Sequence, residues 1–570
     1  MILKTAKGFS LFILCFVISI LPDLTRAQTI PVGSFREKQI RIQQLFNDSI
    51  SASLANRPFD FTTYEKYFEH ANSENSWWNK PHYYLHETYL KDRFIGGGLT
   101  LGVFEPVVAT TFNSKHPYNG SRNNGAAWYG SGFTTEFRGG AFLTSKYLTI
   151  TFRPHIIFTQ NRAFKLPRFV PRDNEGNVLY GHKELGFRLD APFRFGPDRF
   201  TKFSLAQSSI RLHYKSMEAG IGTTPLWWGP GIHNALVLSN NAAGLQHVFL
   251  GTRRPLQLPL DIGQIEFKLI GAWPKDSKYY KYIRNTDQRR FMSGINFVFT
   301  PSFVPHLHLG ITRIIHSYIG EDGLSFADYI KPITNIKDRN PGSVPENQLM
   351  SVYFRWVFPG GNAEVYGEYF REDNWADFRD LMMEPGHDRA YTLGIQKIIP
   401  LQWIDFAKVN FEFSTLVPNE IDKVRHQTYY YTHSKIRQGH TNEGQILGAA
   451  IGTGSASQFL GVEGYFKNGM VGIFAQRVAD NDFFHFKFND RYVYPLPVNS
   501  KDYYNHLIHL NLGLNAKYKI GNILLGGRLI WRKTYNYGRY KLSDRAGPSK
   551  SGHGEDLINL QLGLSARYFF

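Results

Sequence analysis

A chain of 570 residues with one cysteine has no disulfide to brace it and no thiolate pair to bind metal. That residue, Cys15, lies in an apolar run near the N-terminus and follows Leu14 rather than a small side chain, so it offers no lipoprotein cleavage site. Beyond that run no stretch reaches the ~18 consecutive apolar residues of a membrane-spanning helix, and mean hydropathy is negative, −0.32. Signatures of catalysis are missing as well: there is no Gly-x-Ser-x-Gly elbow, no His-Glu-x-x-His and no phosphate loop. His306 and His308 would share a strand face, but Gly310 and Thr312 continue that face, which makes them lumen histidines rather than ligands. Asp480-Asn481-Asp482 lacks the further oxygens and glycine of a calcium loop. Glu364 and Glu368 share a face without an acid/base partner in view. The expectation is a protein without enzymatic activity, cofactor or metal.

What the chain does have is aromatic residues at 15%, 52 glycines, and alternation. Ile558, Leu560, Leu562, Leu564, Ala566, Tyr568 and Phe570 fall on one face, with Asn559, Gln561, Gly563, Ser565 and Arg567 opposite; only Phe569 breaks the period of two. A soluble sandwich also contains such strands. One at the very C-terminus, ending on an aromatic after an export signal, resembles the closing strand of outer-membrane β-barrels, with Tyr568 and Phe570 as the signal read by the barrel-assembly machinery. A closed barrel also explains a polar average, because lipid-facing and lumen-facing residues alternate while every backbone group is satisfied between strands.

The N-terminus fits export: Lys4 and Lys7 precede an apolar core at 9–21, and Thr25-Arg26-Ala27 offers a cleavage site before Gln28. That core is too short for a membrane anchor. Residues 1–27 therefore read as a signal peptide, 28–93 as a periplasmic helical cap, and 94–570 as an all-β, closed antiparallel transmembrane barrel of roughly sixteen to eighteen strands. In the cap, Ser34 and Glu37 form a capping box, and Phe35, Ile42, Leu45, Phe46, Ile50 and Leu54 recur at helical spacing; Thr62 with Glu65, and 83–91, would start further helices. Tight turns are expected at Asn468-Gly469, Gly521-Asn522, Pro359-Gly360-Gly361 and 400–402, alternating with long outer loops near 318–347, 372–389, 479–503 and 534–554. Residues 507–518 nearly repeat 557–568, as two descending strands would.

Formal net charge is +18; removing Lys4, Lys7 and Arg26 together with Asp23 leaves about +16. Such an excess favours acidic polysaccharide, lipopolysaccharide phosphates at the outer-membrane lipid surface, or nucleic acid, and an outer-membrane location argues against the last. Arg153, Arg355, Lys408, Arg528 and Arg567 would face the lumen, suiting an anion-selective pore or a lining for acidic glycan. The segment 218–254 carries the chemistry of a sugar site: Trp227-Trp228-Gly229-Pro230-Gly231, then Leu238-Ser239-Asn240-Asn241-Ala242, then Arg253-Arg254. Indoles stack on pyranose faces, amides pair with vicinal hydroxyls, and arginines fork onto carboxylates; the same tryptophans would equally suit an interfacial girdle, with Gly-Pro-Gly merely turning the chain.

Trp-Gly-Pro-Gly followed by Leu-Ser-Asn-Asn-Ala resembles the signature of the Wzi-type capsule-assembly outer-membrane proteins, and the layout of signal, helical portion and large barrel is similar over the whole mature chain. The resemblance implies a lectin that attaches capsular or extracellular polysaccharide at the surface of a Gram-negative-type cell. The other reading is a porin or channel for anionic solutes or glycans.

Overall fold

The computed structural model describes residues 29–60, 94–95, 99–118, 123–166, 189–283, 288–334, 346–372, 382–383, 386, 388–418, 429–480, 506–537 and 555–569. The alternating stretches pair antiparallel into one sheet that closes on itself. Leu99–Asn113 hydrogen-bonds to Gly132–Thr144 on one side and to the last strand, Glu555–Tyr568, on the other, with Asn113 opposite Gln561 and Val107 opposite Arg567. The ring contains 22 strand segments, four of which only continue or flank a longer one, so eighteen staves enclose the lumen. Two neighbouring staves break at one height. Leu148–Phe152 resumes as His155–Thr159 beyond Arg153-Pro154, and Phe200–Ser204 resumes as Ser209–Tyr214; Pro154 has no N–H for a ladder, and Ala206 opposite Arg153 turns at φ 43°.

Connections alternate in length as the turn residues imply. Gly469 follows a two-residue turn, Gly521-Asn522 forms another, and Pro359–Gly361 and 401–405 close two more at the same end. At the other end run 319–345, 373–388, 416–455, 480–507 and 538–554. The connection 223–245 also belongs to this loop end, since it follows Met217–Gly222 leaving the turn end and precedes Gln246–Thr252 returning to it.

The outer wall is apolar, with Leu564 60% exposed, while Asn559 and Gln561 of the same strand are buried inward. Phe569, the break in the pattern, follows from this geometry: it turns inward, 4% exposed, into a cluster with Ile42, Leu45 and Phe406. Those partners belong to the helix Phe35–Phe46 and to the turn end of the wall. Ser34 Oγ accepts from Glu37 N at 3.3 Å, and Glu37 Oε2 accepts from Gly33 N at 2.7 Å, so the capping box forms one residue early on its return arm. The helix is shorter than its apolar spacing suggested. Asn47 is extended and Leu54 takes φ 48°, which puts Ile50 and Leu54 in irregular chain, still buried. His306 likewise sits in a turn at φ 59°, paired with Asp48, so only His308 faces the lumen. The export signal, the further helices expected within 61–93, Asn481-Asp482 and Phe570 lie outside the described residues.

An eighteen-stave ring is wide enough to need filling. The segment 29–60 enters from the turn end, and 223–245 and 429–455 fold in from the loop end. Trp228, Leu236, Val237, Leu238, Tyr430 and Tyr431 pack against the inward-facing Ile270, Met292, Ile314, Leu349, Phe370 and Ala390 in one buried core.

Candidate functional site

The Trp-Gly-Pro-Gly turn shows why its residue types are needed. Gly229 takes φ 118°, and a Cβ on Gly231 would stand 1.9 Å from the Asn234 carbonyl oxygen. Without side chains in the way, three carbonyls of the turn meet two arginines: Arg57 Nη2 donates to Gly229 O at 2.9 Å and Gly231 O at 3.0 Å, and Arg41 Nη2 to Pro230 O at 3.0 Å. Trp227-Trp228 then pairs antiparallel with Asn56-Arg57, and the Arg57 guanidinium lies 4.6 Å from the Trp227 ring centroid. The motif from the loop end and the N-terminal segment from the turn end thus join in mid-lumen.

Carboxylates on the wall hold these insertions. Residues four apart on a strand share a face, so Glu364, Glu368 and Glu372 of Ala363–Glu372 form an inward column. Glu364 accepts from Arg41 Nε at 2.6 Å and Arg355 Nε at 2.9 Å; Glu368 accepts from Leu236 N at 3.1 Å; Glu372 accepts from Tyr431 N. Two staves along, Glu412 takes the N–H groups of Ile232 (2.8 Å), His233 (3.0 Å) and Asn234 (2.8 Å). Glu364 and Glu368, the carboxylates paired in the sequence, therefore anchor two of the insertions and Glu372 holds a third.

The residues singled out in the sequence are placed as follows. Trp228 is fully buried and Trp227 nearly so. Asn240 Nδ2 donates to Asn123 O at 3.0 Å, and its backbone carbonyl oxygen accepts from Gly125 N at 2.7 Å; Asn241 Nδ2 donates to Ile446 O at 2.9 Å. Arg253 pairs with Asp60 and, beside the partly buried Arg254, lines a small polar recess with Glu218 and Lys268. Arg355 and Lys408 face the lumen paired to Glu364 and Glu463, and Arg528 lies over the Phe474 ring. Arg153 and Arg567 share one oxygen of Glu105 at 3.3 and 3.4 Å. These last two meet Asn240, Arg138 and His155 around a cavity of about 90 Å³ beside the broken staves; Arg355, Lys408 and Arg528 are not among its lining. The basic lining is thus largely matched by carboxylates rather than bare. Tyr568 stands on the outer wall at the turn end, 41% exposed.

Sequence reasoning missed a second surface at the loop end. Asp190 accepts from Ser277 N at 2.6 Å and from Ser277 Oγ, while Asp190 N donates to Gln438 O at 2.9 Å, tying three outer connections together. Burial pushes the Asp190 carboxyl up to about 6 despite the serine bonds. Around this joint Lys275, Lys278 and Lys435 are exposed, the Lys278 ammonium lies 5.1 Å from the Tyr279 ring, and Tyr279 meets Phe195 edge-on at 5.8 Å. Exposed cations beside partly exposed rings can bind an acidic sugar polymer. In sequence the only sign was lysines interleaved with aromatics at 273–283, which any solvated loop can show.

A family model described as capsule assembly protein Wzi matches residues 106–472. Among solved structures the chain is similar to Escherichia coli Wzi, described as an outer-membrane protein involved in group 1 capsule assembly and a carbohydrate-binding β-barrel: 12% identity over 94% of this chain and 99% of that one, TM-score 0.55. It is also similar to OccAB3 of Acinetobacter baumannii (8% identity, 83% and 99% covered, TM-score 0.38) and OccD3 (OpdP) of Pseudomonas aeruginosa (10%, 83% and 92%, TM-score 0.35). No curated protein sequence matches the chain.

Proposed function

Because the chain belongs to the family of the capsule assembly protein Wzi, we propose that this outer-membrane barrel retains an exported acidic polysaccharide at the cell surface, by binding the polymer and leaving its bonds intact. With the short turns in the periplasm, the loop end faces outward. The observation that carries the reading is the filled lumen: the motif-bearing connection is folded inward and held by Glu368 and Glu412, so the outer end presents a fixed surface rather than a pore mouth. Lys275, Lys278 and Lys435 supply charge for uronate or similar acidic groups, and Tyr279 and Phe195 supply stacking faces. Trp227, Trp228, Asn240 and Asn241 serve this surface from beneath by ordering the insertion, while Arg253, beside Arg254 at the turn end, holds the N-terminal segment through Asp60. Lipopolysaccharide phosphates are further partners for exposed basic groups at this end, and Tyr568 and Phe570 are the signal for barrel assembly after export.

The experiment is direct binding of the purified barrel to the host's own surface polysaccharide, run against planar-bilayer conductance. Saturable binding that weakens with salt, with no steady current, is the expected result. A large steady channel without polymer binding would establish the anion-channel reading instead.

A further inference from the structure

The outer wall of the barrel carries a helix. Parity fixes which way its contacts point: Ile270 and Ala272 lie in the lumen core, so Gly271 between them faces out; Arg290 donates to Gly439 O inside and Met292 lies in the core, so Phe291 faces out; Ile314 and His316 face in, so Arg313 faces out. Tyr329, on the helix Phe326–Thr334, packs on these outward positions. Its ring lies edge-on to Phe291 at 5.0 Å and fills the space a Cβ on Gly271 would take, at 2.4 Å. Phe291 is in consequence 1% exposed, whereas Leu250, beside Gly271 on the neighbouring stave, is 46% exposed. Polar straps fasten the helix at the rim: Arg313 donates to Pro332 O at 3.2 Å and to Gln348 Oε1 at 2.8 Å, and Lys331 bridges Glu346 at 2.6 Å and Asp328 at 3.0 Å.

Opposite the face that carries Asp328 and Lys331 the helix has an apolar stripe, and Tyr329 is the edge of that stripe seated on the barrel. The rest of the stripe holds Phe326, 78% exposed, and Ile333, 51% exposed, seven residues apart and so on one side, with the partly exposed Ile330 between them. We propose that this helix is an interfacial anchor, seated in the lipid of the outer leaflet with Phe326 and Ile333 among the acyl chains. The occupant follows from continuity. The helix covers staves whose uncovered neighbour Leu250, two rungs from Gly271, is part of the lipid-facing wall, so the surface next to its free face is already hydrocarbon. Its charged groups are paired with each other and with the rim, which leaves an apolar face over a polar attachment, the composition of a helix lying in the membrane interface. The helix thereby fixes the connection that follows Leu307–Tyr318 to the membrane plane.

The test uses the full chain carrying Cys15→Ala, so that an introduced cysteine is the only one. Phe326→Cys and Ile333→Cys are labelled with an environment-sensitive fluorophore and reconstituted in phosphatidylethanolamine/phosphatidylglycerol vesicles, with and without lipopolysaccharide. Leu564→Cys on the lipid wall and Glu321→Cys in the exposed loop serve as references, and heat-modifiable migration confirms folding of each. The expected result is quenching by brominated acyl chains comparable with Leu564 and shielding from aqueous iodide. Iodide quenching at the Glu321 level would overturn the anchor in favour of a solvated helix. Shielding from both quenchers would overturn it in favour of contact with a second copy of the chain.

Discussion

His440 joins three parts of the molecule through one ring: its Nε2–H donates to Val237 O at 2.6 Å, and Nδ1 accepts from His316 Nε2 at 2.8 Å, linking the 429–455 insertion to the motif segment and the wall. Burial holds its pKa down to about 4, below the ordinary 6.5, so the neutral ring is the bound form. Between those values the unfolded chain takes up a proton that the folded one refuses. The ring's contribution is therefore whole above pH 6.5 and is lost progressively as pH falls toward 4, with a loss of about 2 kcal/mol at pH 5. Protection of the amides at 436–449, taken relative to their slower intrinsic exchange at low pH, should fall from pH 7 to pH 5, and His440→Asn should flatten that dependence. Trp228, fully buried in the same core, should cost about 3–5 kcal/mol on replacement by alanine; the measurement is protease sensitivity of 223–245 with barrel migration unchanged. These residues illustrate what sequence conveys and what it withholds. Residue type marked the Trp-Gly-Pro-Gly turn and Asn240 as special, but the groups that satisfy them, such as Arg57 172 positions from Gly229, are set by the closed ring and leave no local trace.

The strand Ala363–Glu372 does for elements what His440 does for residues, since its column of carboxylates receives an N-terminal arginine, the motif backbone and the 429–431 backbone in turn. Glu412 is the most loaded of the anchors. Glu412→Gln keeps the shape but loses the charge behind three N–H bonds, each worth about 1.5–3 kcal/mol when charged, so hydrogen exchange at 232–234 should rise while the wall, read from exchange within Phe406–Thr415, stays protected. Elements of regular period were legible in advance: the turns at Gly521-Asn522 and Pro359–Gly361, and strands with Val352, Phe354 and Trp356 outward, came directly from alternation and turn chemistry. The insertions were not, because 223–245 and most of 429–455 are buried with no repeating period, and a chain without period reads as loop. The helix Phe35–Phe46 was found but overextended, since buried Ile50 and Leu54 continue its apolar spacing after the backbone has left the helix.

At the scale of the molecule the positive charge divides into an inner set matched by carboxylates and an outer set left exposed. Lys275→Glu, Lys278→Glu and Lys435→Glu together should abolish most binding of an acidic polysaccharide and flatten its salt dependence, with surface level and heat-modifiable migration at wild-type values. Retained binding would place the glycan elsewhere on the protein. The two-residue ladder between Asn56-Arg57 and Trp227-Trp228 has a mechanical meaning too. It is a joint between a segment entering from one side of the membrane and a segment entering from the other. A tug at Asp60 is shared between its ion pair with Arg253, next to the wall, and that joint. The barrel is thus a rigid housing around a tie rod, and tension applied at the periplasmic side has a path, through two arginines and three carbonyls, to the surface that faces the medium.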